Sequence, residues 1–447
     1  MNIAAPVRPF KVTHRLVFAL AAPMTLAYIT TPVLGLVDTA VAGRLGDPAL
    51  IGGLAIAAVI IDLVFATFNF QRASTTGLTA QAVGSGNEKE KQAILFRALI
   101  LAGAIGLVTM ALSPALLKLS LFFMAPGPEI AAAAAAYFLV RMFSAPFTLA
   151  NYAILGWLIG LGRSGLGLAL QTLLNGVNIA LSVWLGLHLG WGLKGVALAT
   201  VIAEAITMLV ALPLCLRMMD RSVRPSWRRL GDWEALRRLV ALNRDIMIRS
   251  FVLIFAFAFF TAQGSRFGEV TLAANAVLMH FFLIGGYFLD GLATAAEQLV
   301  GRAIGANFRE GFLRALKLTL LWNFVLALGL TIFFLVVGPW LIDLITTLPG
   351  VRAEANRYLW MAALTALTGV LAFQMDGVFI GATWSSDMSV MMLLSFALYL
   401  AAWALLSPMF GNTGLWLALH VFLLARGISL FLLVPWRVRR TFGSMPA

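Results

Sequence analysis

Long apolar runs, separated by short stretches that gather the charges, glycines and prolines, set the pattern of this chain. A helix needs about 20 apolar residues to cross a bilayer, and twelve runs meet that length. The first six spans are predicted near Arg15–Gly43, Pro48–Phe70, Gln92–Leu121, Ile130–Gly160, Leu166–Leu187 and Leu193–Leu216. The second six fall near Ala235–Ala262, Thr271–Val300, Phe312–Val337, Tyr358–Gly381, Met388–Leu406 and Gly414–Val434. A β-barrel would show short alternating segments instead, and a soluble nucleic-acid binder does not tolerate such runs. The expected fold is therefore an all-α integral membrane protein of twelve transmembrane helices.

The longest polar stretch runs from Arg217 to Glu234 and divides the spans six and six. Residues 1–216 are read as an N-terminal lobe, 217–234 as a basic linker and 235–447 as a C-terminal lobe. The halves match at a near-constant offset: Gly43–Gly46 with Ser265–Gly268, Ala82–Ser85 with Ala303–Ala306, and Gly156–Gly160 with Gly377–Gly381. The last pair places two glycines four apart in each half, a spacing that permits close helix approach. Six spans per half is an even number, so both halves enter the membrane from the same side. A pseudo-two-fold axis along the membrane normal is the symmetry expected of such a repeat.

Of 447 residues, 61% are hydrophobic and 11% charged, and mean hydropathy is +0.94. The net charge of +13 would suggest nucleic acid in a soluble protein, but here it sorts by side of the membrane. The predicted inner segments hold 22 Lys and Arg residues, Arg221 and Arg224 among them, and the opposite loops hold 6. Both termini and the linker are therefore expected in the cytoplasm. The apolar run after Met1–Arg15 is too long for a signal peptide and is read as the first span. A single Cys215 excludes a disulfide framework and a cysteine metal site. HExxH, GxSxG and Walker motifs are missing from the sequence, which leaves an ion gradient as the energy source and no expected cofactor. A membrane enzyme holding a metal and diphosphate would need closely spaced intramembrane carboxylates, and none are paired in the sequence.

Several strings, taken in order, resemble one family. They are Pro32-Val-Leu-Gly-Leu-Val-Asp38-Thr-Ala-Val-Ala-Gly43, Ser74–Gly84, Gly195–Glu204 with Thr200 inside it, Leu242–Arg249, Ala273–Met279, Leu289-Asp290-Gly, and Asp376-Gly-Val-Phe-Ile-Gly381. Together they resemble the MATE family, the multidrug and toxic compound extrusion transporters, and within it the DNA-damage-inducible protein F branch. The resemblance implies a two-lobed, twelve-helix antiporter of a bacterial inner membrane. It would export an amphipathic, cationic or neutral small molecule in exchange for protons or sodium ions, in contact with lipid but not nucleic acid. A monomer is compatible with this reading. The alternatives are a flippase for a lipid-linked precursor, which needs a strongly cationic cavity and finds only Arg141, Arg249 and Arg426, and the membrane enzyme.

Within this frame Asp38 is the first candidate. A carboxylate at the centre of a lone span costs about 2.5–3.5 kcal/mol, so one is kept for a function or a partner. Pro23 and Pro32 on the same predicted helix each remove a backbone hydrogen bond and make a bend possible. Neutral, Asp38 donates a hydrogen bond and sits in apolar surroundings; ionised, it demands water or a cation. Asn175, Asn178 and Ser182 recur at i, i+3 and i+7 on the fifth span and share a face expected to meet Asp38. The resemblance implies a cluster of Asp38, Asn178, Ser182 and Thr200, in which relatives carry a second aspartate at the place of Ser182. A hard cation prefers several oxygens with compensating charge, so the loss favours proton over sodium coupling.

In the second half, Asp290 and Asp376 precede glycine in apolar context and, with Arg249, Met279 and Tyr287, are the candidate substrate contacts. Asp245 and Arg249 lie four apart on one helix and could neutralise each other, whereas Asp290 and Asp376 are expected to pair with Arg249 or else to contact a cationic cargo directly. Glu204 and Glu297 are placed nearer span ends, where solvated carboxylates cost little.

Overall fold

The computed structural model describes residues 7–443 apart from Arg221 and Arg224. Those two arginines of the inner-side count, and the first six residues of the N-terminal segment, lie outside the described residues. Among the described residues twelve helices are long and apolar enough to cross a membrane. We number them α1 His14–Arg44, α2 Pro48–Ser85, α3 Glu88–Met124, α4 Pro128–Gly160, α5 Ser164–His188, α6 Gly192–Arg217, α7 Arg228–Phe267, α8 Glu269–Gly305, α9 Arg309–Ile345, α10 Pro349–Gly381, α11 Ser385–Phe410 and α12 Asn412–Phe442. Many of their large apolar side chains point outward, Leu36, Leu63 and Leu107 in one unit and Val336, Leu405 and Leu432 in the other. Only a hydrocarbon solvent accepts such a surface.

The helices form two compact units. One comprises Leu26–Ala82 and Asn87–Leu239 and contains α1 from Leu26 onward, most of α2, and α3 to α6. Its core gathers Phe65, Phe138, Met142, Leu149, Trp157 and Leu158. The other comprises the N-terminal residues through Thr25, Val83–Gly86, and Val240 onward. Its core is aromatic, built on Phe260, Phe281, Phe334, Trp416 and Phe422. The divisions fall at Thr25/Leu26, on either side of Val83–Gly86, and at Leu239/Val240, five residues past the polar linker. Contacts at the N-terminus explain the first shift: Arg8 N–H donates to Ala306 O at 2.9 Å, Phe18 packs edge-on against Trp322, and Trp322 Nε1 donates to His14 Nδ1 at 2.9 Å. Helix α1 is unbroken through Pro23 and Pro32, so neither proline ends it.

The second predicted span stops too early. Its helix continues past a single turn residue, Asn69, through a polar second part to Ser85. In that part the hydroxyls of Thr75 and Thr76 are satisfied on the carbonyls of Gln71 and Arg72, so the polar side chains can be buried, and α4 seals them. A Cβ on Gly156 would strike the Arg72 backbone, and one on Gly160 would strike Thr76 O and Thr79. In the other unit Gly377 and Gly381 of α10 lie equally tight on the backbone of Ala293 and Glu297 in α8. The same glycine pair thus makes the same kind of helix contact in each half.

The linker is fastened within the first unit. Arg97, buried, pairs with Glu90 at 2.6 Å and donates to Arg229 O, while Arg229 Nε donates to the other Glu90 oxygen at 3.2 Å. Gln92 donates to Asp220 O at 3.0 Å. A cavity of about 260 Å³ lined by Glu90, Arg97, Asp232, Glu234 and Arg238 lies beside this clasp.

Candidate functional site

Asp38 projects from α1 into the first unit and is 8% exposed. Ser182 Oγ of α5 lies 3.1 Å from Asp38 Oδ1 and 3.4 Å from Asn178 Oδ1, with one proton for the two acceptors. Asn178 Nδ2 donates to Thr200 Oγ1 of α6 at 2.8 Å. The helical spacing on α5 that lines up Asn178 and Ser182 delivers a chain of side chains from α1 through α5 to α6. Asn175 stands one turn away, donating to Thr30 Oγ1 at 2.8 Å and accepting from Gln171 at 3.0 Å. It belongs to the same helix face but is already paired along α1.

Tyr137 of α4 completes the surroundings of Asp38. Its hydroxyl reaches Asp38 Oδ2 at 3.4 Å, so both carboxylate oxygens face a donor. Nothing in the local sequence marks Tyr137, because its partner is 99 residues away. As a cation site the cluster offers one carboxylate, three hydroxyls and an amide oxygen, so a single full charge stands among neutral groups.

A second carboxylate lies deeper in this unit than expected. Glu204 is 6% exposed at mid-α6, not at a solvated span end, and Asn151 Nδ2 of α4 donates to its side chain at 2.6 Å and to its backbone carbonyl at 3.0 Å. Glu297 is likewise buried, on α8 where α10 packs closest. Solvated ends are ruled out because Glu204 sits at the middle of its run with α4 against it, and because α8 runs five residues past its predicted end and packs on α10 at Glu297.

In the other unit Asp376 of α10 is engaged by two guanidinium groups, those of Arg249 on α7 and Arg426 on α12, both to the same oxygen. The expected pairing of Arg249 with Asp376 is therefore found, and the alternative pairing with Asp245 is not. Asp245 instead pairs with the adjacent Arg244 at 2.8 Å and accepts from Ser385 at 3.0 Å. Arg249 turns inward because Asp376 is buried beside it and a lone intramembrane carboxylate needs a partner. Asp290, half-buried on α8, lies within electrostatic reach of Arg426, and Tyr287 is half-buried one turn before it. Met279 is not with them. It packs on the aromatic core eleven residues earlier, about 16 Å along the helix axis at 1.5 Å per residue.

With the geometry in place, comparison with known proteins is informative. The MatE family model matches residues 23–184 and 246–403. The DNA damage-inducible protein F of Escherichia coli K12 is 38% identical over 417 residues, covering 92% of this chain and 90% of that protein. A "Probable multidrug resistance protein NorM" of Caulobacter vibrioides is 29% identical over 312 residues, 66% of this chain and 64% of that one. Among solved structures, a crystal structure of MATE in the bent conformation superposes with a TM-score of 0.87 at 18% identity, covering 96% of each chain. The structural likeness carries the two-lobed, all-helical fold.

Proposed function

The chain belongs to the MatE family of transporters, and from that premise we propose that it is a secondary antiporter exporting amphipathic, cationic or neutral small molecules in exchange for protons. The family's members are transporters, not enzymes, one relative is named a probable multidrug resistance protein, and twelve apolar helices with a bacterial relative fit a multi-pass protein of the inner membrane.

The observation that carries the reading is Asp38: a buried intramembrane carboxylate with a hydroxyl at each oxygen and a neutral Ser182 where the family resemblance leads one to expect a second acid. Neutral Asp38 fits this apolar enclosure as a donor, and ionised Asp38 accepts from both hydroxyls. Proton gain and loss therefore bias two arrangements of α1 against α4 and α5. A cargo molecule that binds one arrangement better is linked to the proton through that shared equilibrium, without touching Asp38.

Everted vesicles loaded by a pH gradient test this. Transport of ethidium, a lipophilic cation, is expected to fall to background in Asp38→Asn at wild-type abundance, and normal transport by that variant overturns the role of Asp38. A sodium gradient imposed at equal pH on the two sides is expected to drive nothing in the wild type. Sodium-driven uptake there replaces the proton with sodium.

A further inference from the structure

Two intramembrane arginine groups in this protein are held in opposite ways. Arg249 and Arg426 are locked onto Asp376. Arg141, at the end of the straight part of α4, has no carboxylate within 4 Å among the described residues: it donates to Ser144 Oγ and lies over the Phe65 ring, 5.0 Å from its centroid. It stands one helical turn after Tyr137, whose hydroxyl touches Asp38, so the two side chains share a face. Phe65 lies one turn after Asp62 on α2. The guanidinium is consequently within electrostatic reach of three intramembrane carboxylates on three helices, Asp38 on α1, Asp62 on α2 and Glu204 on α6, and paired with none of them. The other ionisable groups around it are Tyr137 and Tyr152 on α4 and Arg72 on α2, and α5 presents only the exposed His188.

The geometry points to Arg141 as a resident counter-cation for Asp38, a fixed positive charge that stands in for a coupling sodium ion and makes the transporter's coupling sodium-independent. This rests on the proton-coupled reading above and deepens it. A carboxylate that loses its proton inside a membrane needs a positive charge close by. Where a site lacks a second carboxylate, a mobile cation is poorly held, and a permanently charged guanidinium does the same work without having to bind and leave. Its lack of a direct partner matters: a guanidinium locked into an ion pair, as at Asp376, would have no charge to spare when Asp38 ionises. Arg141 acts through Asp38 and is a positioning residue, not a ligand of the cargo.

The test uses the full-length protein in proteoliposomes with ethidium as cargo and imposes a pH gradient or a sodium gradient separately. For Arg141→Gln we expect proton-driven transport to fall at least tenfold, the pH profile of what remains to move towards alkaline values, and a sodium gradient alone to begin driving transport. Arg141→Lys provides the second arm, because an ammonium, unlike a guanidinium, gives up its charge when buried at high pH. It is expected to be sodium-independent near pH 6.5 and sodium-driven near pH 9, a behaviour that no merely structural arginine would produce. If Arg141→Gln fails to fold, the lysine variant decides alone. An unchanged pH profile together with no sodium-driven transport at either pH overturns the inference. Sodium-driven transport by the wild type itself is a different result, and it overturns the proton-coupled reading instead.

Discussion

Asp376 and Asp38 are both buried acids, and their surroundings give them different work. Asp376 receives two guanidinium groups on one oxygen, and the Nε atoms of both arginines are buried without a hydrogen-bond partner. Removing the carboxylate leaves two positive charges facing each other in a site 2% exposed at Arg426 and half-open at Arg249. Breaking a buried ion pair by deleting one partner costs roughly 3–5 kcal/mol, more than the pair itself contributes. Asp376→Asn is therefore expected to lower the melting temperature of the purified protein by many degrees. Replacing all three by Leu and Met of similar volume is expected to recover most of the loss. If Asp376→Asn melts like the wild type, the triad is not structural, and Asp376 returns as a candidate for cargo.

At the scale of helices, the contacts that decide packing are between backbones. Gly377 admits α8 so closely that a Cβ would meet the Ala293 carbonyl, whereas a Cβ on Gly103 of α3 would meet nothing within 4 Å. Gly377→Ala is expected to cost about 1–3 kcal/mol by overpacking, and Gly103→Ala to leave thermal stability unchanged or slightly raised. Melting curves in detergent separate the two, and equal effects would show that the glycine pair is incidental. This contact was legible in the sequence because a GxxxG repeat 221 residues apart encodes it directly. So were the twelve spans, which need only length and hydropathy, and the α5 stripe, which needs only helical periodicity. The polar half of α2 was not legible: its hydroxyls are satisfied by back-bonds and it is covered by a neighbour more than 80 residues away, and hydropathy senses neither. Tyr137 and the Asn151–Glu204 pairing escaped for the same reason, since partners 53 to 99 residues distant leave no local pattern. The Asp376–Arg249 pair was legible as two opposite charges in apolar runs, and it prevails over Asp245 because i,i+4 spacing permits a pair without excluding a stronger partner on another helix.

For the molecule as a whole, orientation follows from where the basic residues fall. The clasp of Glu90, Arg97 and Arg229 fastens the linker to its unit, and the sequence count expects 22 Lys and Arg residues on the linker's side of the membrane against 6 on the other. Moving positive charge outward is resisted during insertion, so this asymmetry predicts both termini and the linker inside. Helix parity then puts the α9–α10 turn outside, since nine spans precede it. The chain lends itself to a direct test because Cys215, its single cysteine, is fully buried in α6 and can be replaced by alanine. In that background Ser222→Cys on the linker and Thr347→Cys on the α9–α10 turn each add one exposed thiol. A membrane-impermeant maleimide applied to intact cells is expected to label the Thr347 variant and spare the Ser222 variant, with the pattern exchanged in everted vesicles. The opposite pattern in cells would invert the molecule, and with it the direction in which protons and cargo are proposed to move.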